Sequence, residues 1–203
     1  MNNNISYEMT EQERQQNSIR TIINMLIARR WITNEPEKHY NILVKISTEI
    51  IDTTSIETDV KKIAIKFYNS KLNTLKNDKE IDIFISNFPD FHKILIVNDL
   101  STKVDKQIMD SKGFEIFRIM DIIRDISKHH LVPKHILLSK EEATLIMEEY
   151  KLKPKDMGRI YSDDPMAKYL YAQKDDIIQI IRYSINSGYS TYYRLVVPGS
   201  IHN

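Results

Sequence analysis

Cysteine is absent from all 203 residues, which removes disulfides, thiolate metal sites and a cysteine nucleophile together. Such a chain is expected in a reducing, intracellular compartment. Glycine is scarce: the four fall at 113, 158, 188 and 199, too far apart for a Gly-rich phosphate or dinucleotide loop. That argues against ATPase and dinucleotide-binding readings. Uninterrupted apolar runs stop at four residues, as in Ile94–Val97, and the polar opening Met1–Asn17 has no signal-peptide core. Neither secretion by that route nor a membrane span is expected. Charge of one sign is also lacking, since 29 Lys and Arg stand against 28 Asp and Glu, mixed along the chain. A protein that grips phosphates by itself usually shows a basic face, so autonomous nucleic-acid binding is not expected.

What remains is an ordinary globular composition, 41% hydrophobic and 28% charged, in a length that suits one larger and one smaller core. The abundance of Ile, Asn and Lys is that of an A+T-rich genome, a mark of origin only. Ile19, Ile22, Ile23, Leu26, Ile27 and Trp31 recur at helical spacing and predict an amphipathic helix over Ser18–Trp31. Tyr40–Ile51 is a weaker helix and Thr53–Asp59 a polar connector. Ile63–Phe67 alternates as a half-buried strand does, Ile81–Phe88 is helical up to Pro89, and Ile94–Val97 is a short buried strand. Thr102–Lys112 has helical character up to Gly113, and Phe114–Phe117 and Ile122–Ile126 are β-like. The alternation predicts a layered α/β domain over residues 18–127, after a polar segment 1–17.

The basic, proline-containing stretch Ser127–His135 breaks that rhythm, and a second domain is expected over 128–203. Ser139-Lys-Glu-Glu142 has the spacing of a capping box before a helix ending near Tyr150. Asp163 or Asp164 with Pro165 starts another helix. Ile177–Ile181 and Thr191–Val197, separated by Asn186-Ser-Gly188, predict a β-hairpin that closes a small α+β domain.

Candidate chemistry is thin. His129, His130 and His135 lack a credible third and fourth metal ligand nearby and are better read as hydrogen-bonding residues of a junction. No serine sits in a nucleophile-elbow context. Asp90 and Asp99 flank the Ile94–Val97 strand, a placement a metal-dependent nuclease would use, but no acid-x-Lys partner accompanies them and loop or cap roles explain them better. Asp163-Asp-Pro165 is better explained by capping than by catalysis. Tyr189, Tyr192 and Tyr193 would suit base stacking, although on a terminal strand core and interface roles are the commoner ones. No catalytic, cofactor or metal residue is assigned.

The last third resembles a known family, the DNA-directed RNA polymerase subunit 5 of eukaryotes together with its shorter archaeal counterpart. The resemblance runs through His130-Leu-Val-Pro-Lys-His135, Glu141-Glu142, Tyr150, Arg159-Ile160, Asp164-Pro165-Met-Ala167 and Tyr169-Leu170, then Ile177–Arg182, Gly188 and Tyr193–Val197. The order of the N-terminal segments is similar to the longer, eukaryotic arrangement. In departure from the family, Tyr171 and Asp175 stand where glycine is usual, Gly158 where proline is common, and Ile185 and Tyr189 where many relatives have Glu and Arg. Such drift is similar to the version in large cytoplasmic DNA viruses of the African swine fever type.

The resemblance implies an α/β N-terminal jaw domain near downstream DNA and a small α+β C-terminal assembly domain docked on the largest polymerase subunit. It implies a hetero-oligomer without catalytic residues of its own, in the host cytoplasm and virion if viral and the nucleus if cellular. Pro133 and His135 would fix the junction, Asp164-Pro165 would start a helix, and Arg159, Arg182 and Arg194 would make charge-assisted bonds within the fold or to the large subunit. The Tyr193–Val197 strand would be core. Any contact with duplex DNA would be weak and made to phosphate or shape. A freestanding polymerase-binding adaptor and a metal-dependent nuclease are the alternatives.

Overall fold

The computed structural model describes residues 9–47, 53–57, 61–72, 78–101, 113–184 and 188–199. These form two compact units, Met1–Arg124 and Asp125–Asn203, each with its own sheet. Among the described residues no helix is long and apolar enough to cross a membrane.

The first unit opens with helix α1, Glu11–Ala28, which starts seven residues before the expected Ser18. A capping box extends it: Glu13 N–H donates to Thr10 Oγ1 at 3.3 Å, and Thr10 N–H donates to the Glu13 carboxylate at 2.8 Å. The Thr-x-x-Glu spacing is thus a helix start, worth about 1 kcal/mol at such a site. The other end falls at Ala28, because Arg30 takes a left-handed φ of 60° and turns Trp31 out of the helix. Helix α2, Pro36–Ser47, packs on α1.

The first sheet has the order β1-β2-β3-β4, with β1 Thr53–Glu57, β2 Lys62–Leu72, β3 His92–Leu100 and β4 Phe114–Arg118. β1 runs antiparallel to β2; β2, β3 and β4 are parallel. Thr53–Glu57, expected as a connector, is therefore an edge strand: Thr and Ile favour extended backbone, and the β2 edge supplies the ladder. The expected alternation of Ile63–Phe67 is also corrected, since all five residues are buried. A parallel sheet carries helices on both faces, so even Lys66 lies along the core and only its ammonium reaches out, to Glu80 at 2.8 Å.

Helix α3, Lys79–Asn87, crosses over between β2 and β3, capped by Asp78. It sets Ile81 against Leu72, Leu95, Val97 and Leu100 on one face. Burying each such side chain is worth about 1.5–3 kcal/mol against leaving it exposed. α1 belongs to the other face, because its C-cap Arg29 pairs with Glu115, which register places beside Ile94 and pleating places opposite Leu95. The expected helix Thr102–Lys112 lies outside the described residues. The expected strand Ile122–Ile126 does not form: α4, Ile119–Ile122, ends there and buries Ile122, a bend follows, and a 3-10 turn takes Ile126–Lys128. Asp125 decides this by accepting from Ser127 N–H at 3.0 Å, a local bond that competes with a ladder.

The second sheet has the order β5-β7-β8-β6, with β5 Lys134–Leu137, β6 Gly158–Tyr161, β7 Ile177–Ser184 and β8 Gly188–Val197. β5 and β8 run antiparallel to β7, and β6 runs parallel to β8. Helix α5, Lys140–Glu149, begins at the Ser139–Glu142 capping box and brings Ala143, Ile146 and Met147 onto Ile177 and Leu195. Helix α6, Pro165–Leu170, starts at Asp164, whose carboxylate accepts from Met166 N–H at 2.8 Å, and buries Met166, Ala167, Tyr169 and Leu170.

Tyr171 and Asp175, the positions where the resembled family usually has glycine, adopt φ of 55° and 70°. The left-handed turn persists although its side chains strain it.

Candidate interaction surface

Alternation along β7 and β8 sorts the second sheet into two faces. Opposed residues of an antiparallel pair share a face, so Ile177, Leu195, Gln179 and Tyr193 go together, toward α5. Ile178, Arg194, Ile180, Tyr192 and Arg182 belong to the other face. At the base of that face Ile178, Ile180, Val196 and, from β6, Ile160 are buried. Toward the turn the sheet thins to the two hairpin strands, and its side chains become exposed.

The exposed end is aromatic, and exposed basic residues run from it along the sheet. Tyr183 and Tyr189 are 65% and 77% exposed, and their rings meet edge to face at 5.4 Å. Tyr192 is 52% exposed on the opposite face, across from Ile180. Arg159, Arg182 and Arg194 are all exposed; Arg194 donates from Nη1 to the Arg159 carbonyl at 3.3 Å. Strands β5 to β8 contain Lys134, Arg159, Arg182 and Arg194 but neither Asp nor Glu. Among the described residues none of these four cations has an ion pair within the protein. Local salt bridges therefore do not hold the three arginines.

Pro133 and His135 form a local clasp. The His135 Nδ1–H donates to the Pro133 carbonyl at 2.7 Å, which fixes the tautomer because a carbonyl only accepts. His135 pairs with Ile180 in the β5–β7 ladder. His129 and His130 stack tilted at 4.7 Å, and His129 Nδ1 accepts from Leu131 N–H at 3.3 Å. The C-terminal strand is only partly core: Val196 is buried, Tyr193 and Leu195 are half-buried, and Arg194 is exposed. Burial and the neighbouring Tyr150 hold the Tyr193 phenol above its usual range, although Gln179 bonds to it.

The acidic pair weighed for metal binding behaves differently. Asp99 is held by Lys71 at 2.8 Å and by its neighbour Leu100 N–H, and these bonds keep its carboxyl below the usual range. Asp90 is an exposed turn residue. Among the described residues no three His, Asp or Glu side chains converge as a metal site.

One charged cluster of the first unit escaped the sequence reading. Arg29 meets Glu115 with two bonds, at 2.7 and 2.8 Å, and the His92 Nε2–H donates to the same carboxylate at 2.6 Å. Trp31 packs edge-on against His92 at 4.7 Å and lies under the Arg29 guanidinium. Arg29 and Glu115 are 86 residues apart, a separation no local pattern bridges. Tyr183 is a further exposed residue of the second unit's surface, legible through its register with Tyr189 once the hairpin is drawn.

Comparison with known proteins agrees with the second unit in particular. The family model described as RNA polymerase Rpb5, C-terminal domain, matches residues 124–196. The DNA-directed RNA polymerase subunit 5 of Acanthamoeba polyphaga mimivirus is 31% identical over 134 residues, which span 66% of this chain and 65% of that protein. The DNA-directed RNA polymerase subunit Rpo5 of Thermofilum pendens is 48% identical over 75 residues, 37% of this chain but 94% of the archaeal one. The subunit rpabc1 of DNA-directed RNA polymerases I, II and III from Dictyostelium discoideum is 28% identical over 187 residues, 88% of this chain and 94% of that one.

Proposed function

The chain belongs to the RNA polymerase subunit 5 family, and from that premise we propose that it is a non-catalytic subunit of a multisubunit DNA-directed RNA polymerase. The observation that carries the reading is the coincidence of the family match, 124–196, with the second compact unit, Asp125–Asn203. An archaeal polymerase subunit is matched over 94% of its own length by about that unit, which supports reading the unit as a module that serves in a polymerase without the rest.

In this reading the second unit is the assembly domain and docks on the largest subunit. Its arginines fit the task. An exposed guanidinium without an internal partner keeps its donors for a carboxylate of a neighbouring chain, where two parallel bonds add orientation to affinity. The first unit forms part of a jaw near downstream duplex DNA. Among its described residues Arg29, Lys66 and Lys71 are each paired with a carboxylate of the same unit, and the sequence as a whole has no excess of basic charge, so any DNA contact is weak and reads no bases. Catalysis belongs to the large subunits, and this chain works wherever that polymerase works.

The test is purification of the tagged full-length chain from its native cells, with quantitative mass spectrometry and a transcription assay. Recovery of active polymerase with the two largest subunits at equal stoichiometry is the expected result. Substoichiometric recovery would make the chain a detachable adaptor, and recovery alone would end the subunit reading.

A further inference from the structure

The hairpin strands outrun their neighbours. β8 spans Gly188–Val197, but β6 pairs only with Arg194–Val197, so among the described residues Gly188–Tyr193 has no strand on its outer side. Val196 directs both backbone groups to the β7 side, donating to the Asp176 carbonyl at 2.8 Å and accepting from Asp175 N–H at 3.0 Å. Backbone groups alternate along a strand, so those of Tyr189, Thr191 and Tyr193 point outward. Among the described residues nothing bonds to them there.

Native proteins blunt open edges with lysine, proline, bulges or a covering element. Gly188-Tyr-Ser-Thr-Tyr-Tyr193 holds neither lysine nor proline, and it pairs with β7 in continuous register. The edge is thus a ready template for a strand. Beside it the sheet is purely cationic: Arg194 follows on the same strand, and Arg182 lies across from Ser190.

We infer that the outer edge of β8 at Gly188–Tyr193 takes up an extended, carboxylate-bearing segment of another polymerase subunit as an added strand. Tyr189, Thr191 and Tyr193 supply the ladder, and Arg182 and Arg194 meet the carboxylates. The inference rests on the polymerase-subunit reading and specifies how that subunit binds. Two other occupants fit less well. A nucleic acid would satisfy the arginines but has no peptide groups at strand spacing for the edge. A second copy would offer peptide groups but would set one carboxylate-free sheet beside another, with like charges opposed.

The experiment is hydrogen exchange of the full-length chain, free and in purified polymerase, together with competition between wild type and variants for incorporation. Protection of the Tyr189, Thr191 and Tyr193 amides in the polymerase but not in the free chain is expected. Thr191→Pro removes one outward N–H and spares the β7 ladder, and it should lower incorporation about tenfold. Arg182→Glu with Arg194→Glu should lower it at least as much, while Thr191→Val, which keeps the N–H, should incorporate as wild type.

If these amides exchange as fast in the polymerase as in the free chain, the inference falls while the subunit reading stands. Protection that appears on concentrating the free chain would replace it with self-association, and protection on adding a short DNA duplex would replace it with nucleic-acid binding. Absence of wild-type chain from the polymerase would remove both readings. Should Thr191→Pro fail to fold, the wild-type exchange pattern decides.

Discussion

The buried charged residues of the first unit and the exposed strand residues of the second handle charge in opposite ways. In the first, Arg29 and Glu115 face each other with side chains 1% and 11% exposed, and Lys66 threads through the core to reach Glu80. In the second, the strands carry four cations, no carboxylate and no internal ion pair among the described residues. A buried charge must be matched by its own fold, because desolvation leaves no cheaper partner. An exposed one waits in water at little cost and can be matched by another chain. The contrast separates charge that serves stability from charge that the fold leaves in water.

The sharpest way to break this contrast is to remove one partner from each unit. Glu115→Ala leaves Arg29 buried without its carboxylate and should destabilise the first unit by about 3–5 kcal/mol. The single tryptophan, Trp31, sits beside the cluster, so fluorescence-detected urea unfolding reports that unit. Arg182→Ala or Arg194→Ala should change stability by no more than about 0.5 kcal/mol. A comparable loss at either arginine would erase the distinction.

Core truncation should treat both units alike. Ile178→Ala, at a fully buried site of β7, should cost about 2–5 kcal/mol, read by hydrogen exchange across the second unit with Trp31 fluorescence unchanged.

Acid should separate the units again. Burial alone would raise the Glu115 carboxyl, but the Arg29 charge and the bonds from His92 and Arg29 outweigh it and hold the group below its ordinary value. A lowered carboxyl contributes stability in full above its unfolded value of about 4.3 and loses it as pH falls through the folded value. The Trp31-detected urea midpoint should therefore stay level from pH 7 to about 5 and fall below about 4. Glu115→Gln should remove part of that slope.

The smaller effects sharpen the picture within the second unit. Asp164→Ala removes the α6 cap and should cost about 0.5–2 kcal/mol, checked by thermal unfolding. Asp175→Gly should instead raise the melting temperature slightly, by relief worth up to about 1 kcal/mol. An exposed aspartate at a φ of 70° is strained there and glycine is not.

Legibility in the sequence followed the range of the interaction concerned. The Ser139–Glu142 box, the Asp164-Pro165 start and the hairpin strands depend on residues three or four apart, or on a turn, and all were readable. The equivalent box at Thr10–Glu13 carries the same signal, but the polar stretch around it masks the helix start. Thr53–Glu57 and Ile122–Ile126 were misread for a different reason. Whether a short segment is strand or turn depends on what ladder or cap is offered to it, and β2 and Asp125 make those offers.

By itself the sequence determined the periodic elements, the helix caps of the second unit, the absence of a Gly-rich nucleotide loop and the landmarks that tie the chain to its family. These are fixed by neighbours along the chain, within reach of one or two helical turns. The tertiary structure alone settles that Glu115 meets Arg29 across 86 residues, that Ile63–Phe67 is buried on both faces, and that β8 has, among the described residues, an open edge beside arginines without an ion pair. Burial and pairing are properties of which surfaces come together, and desolvation makes a charge costly or free only once that is settled.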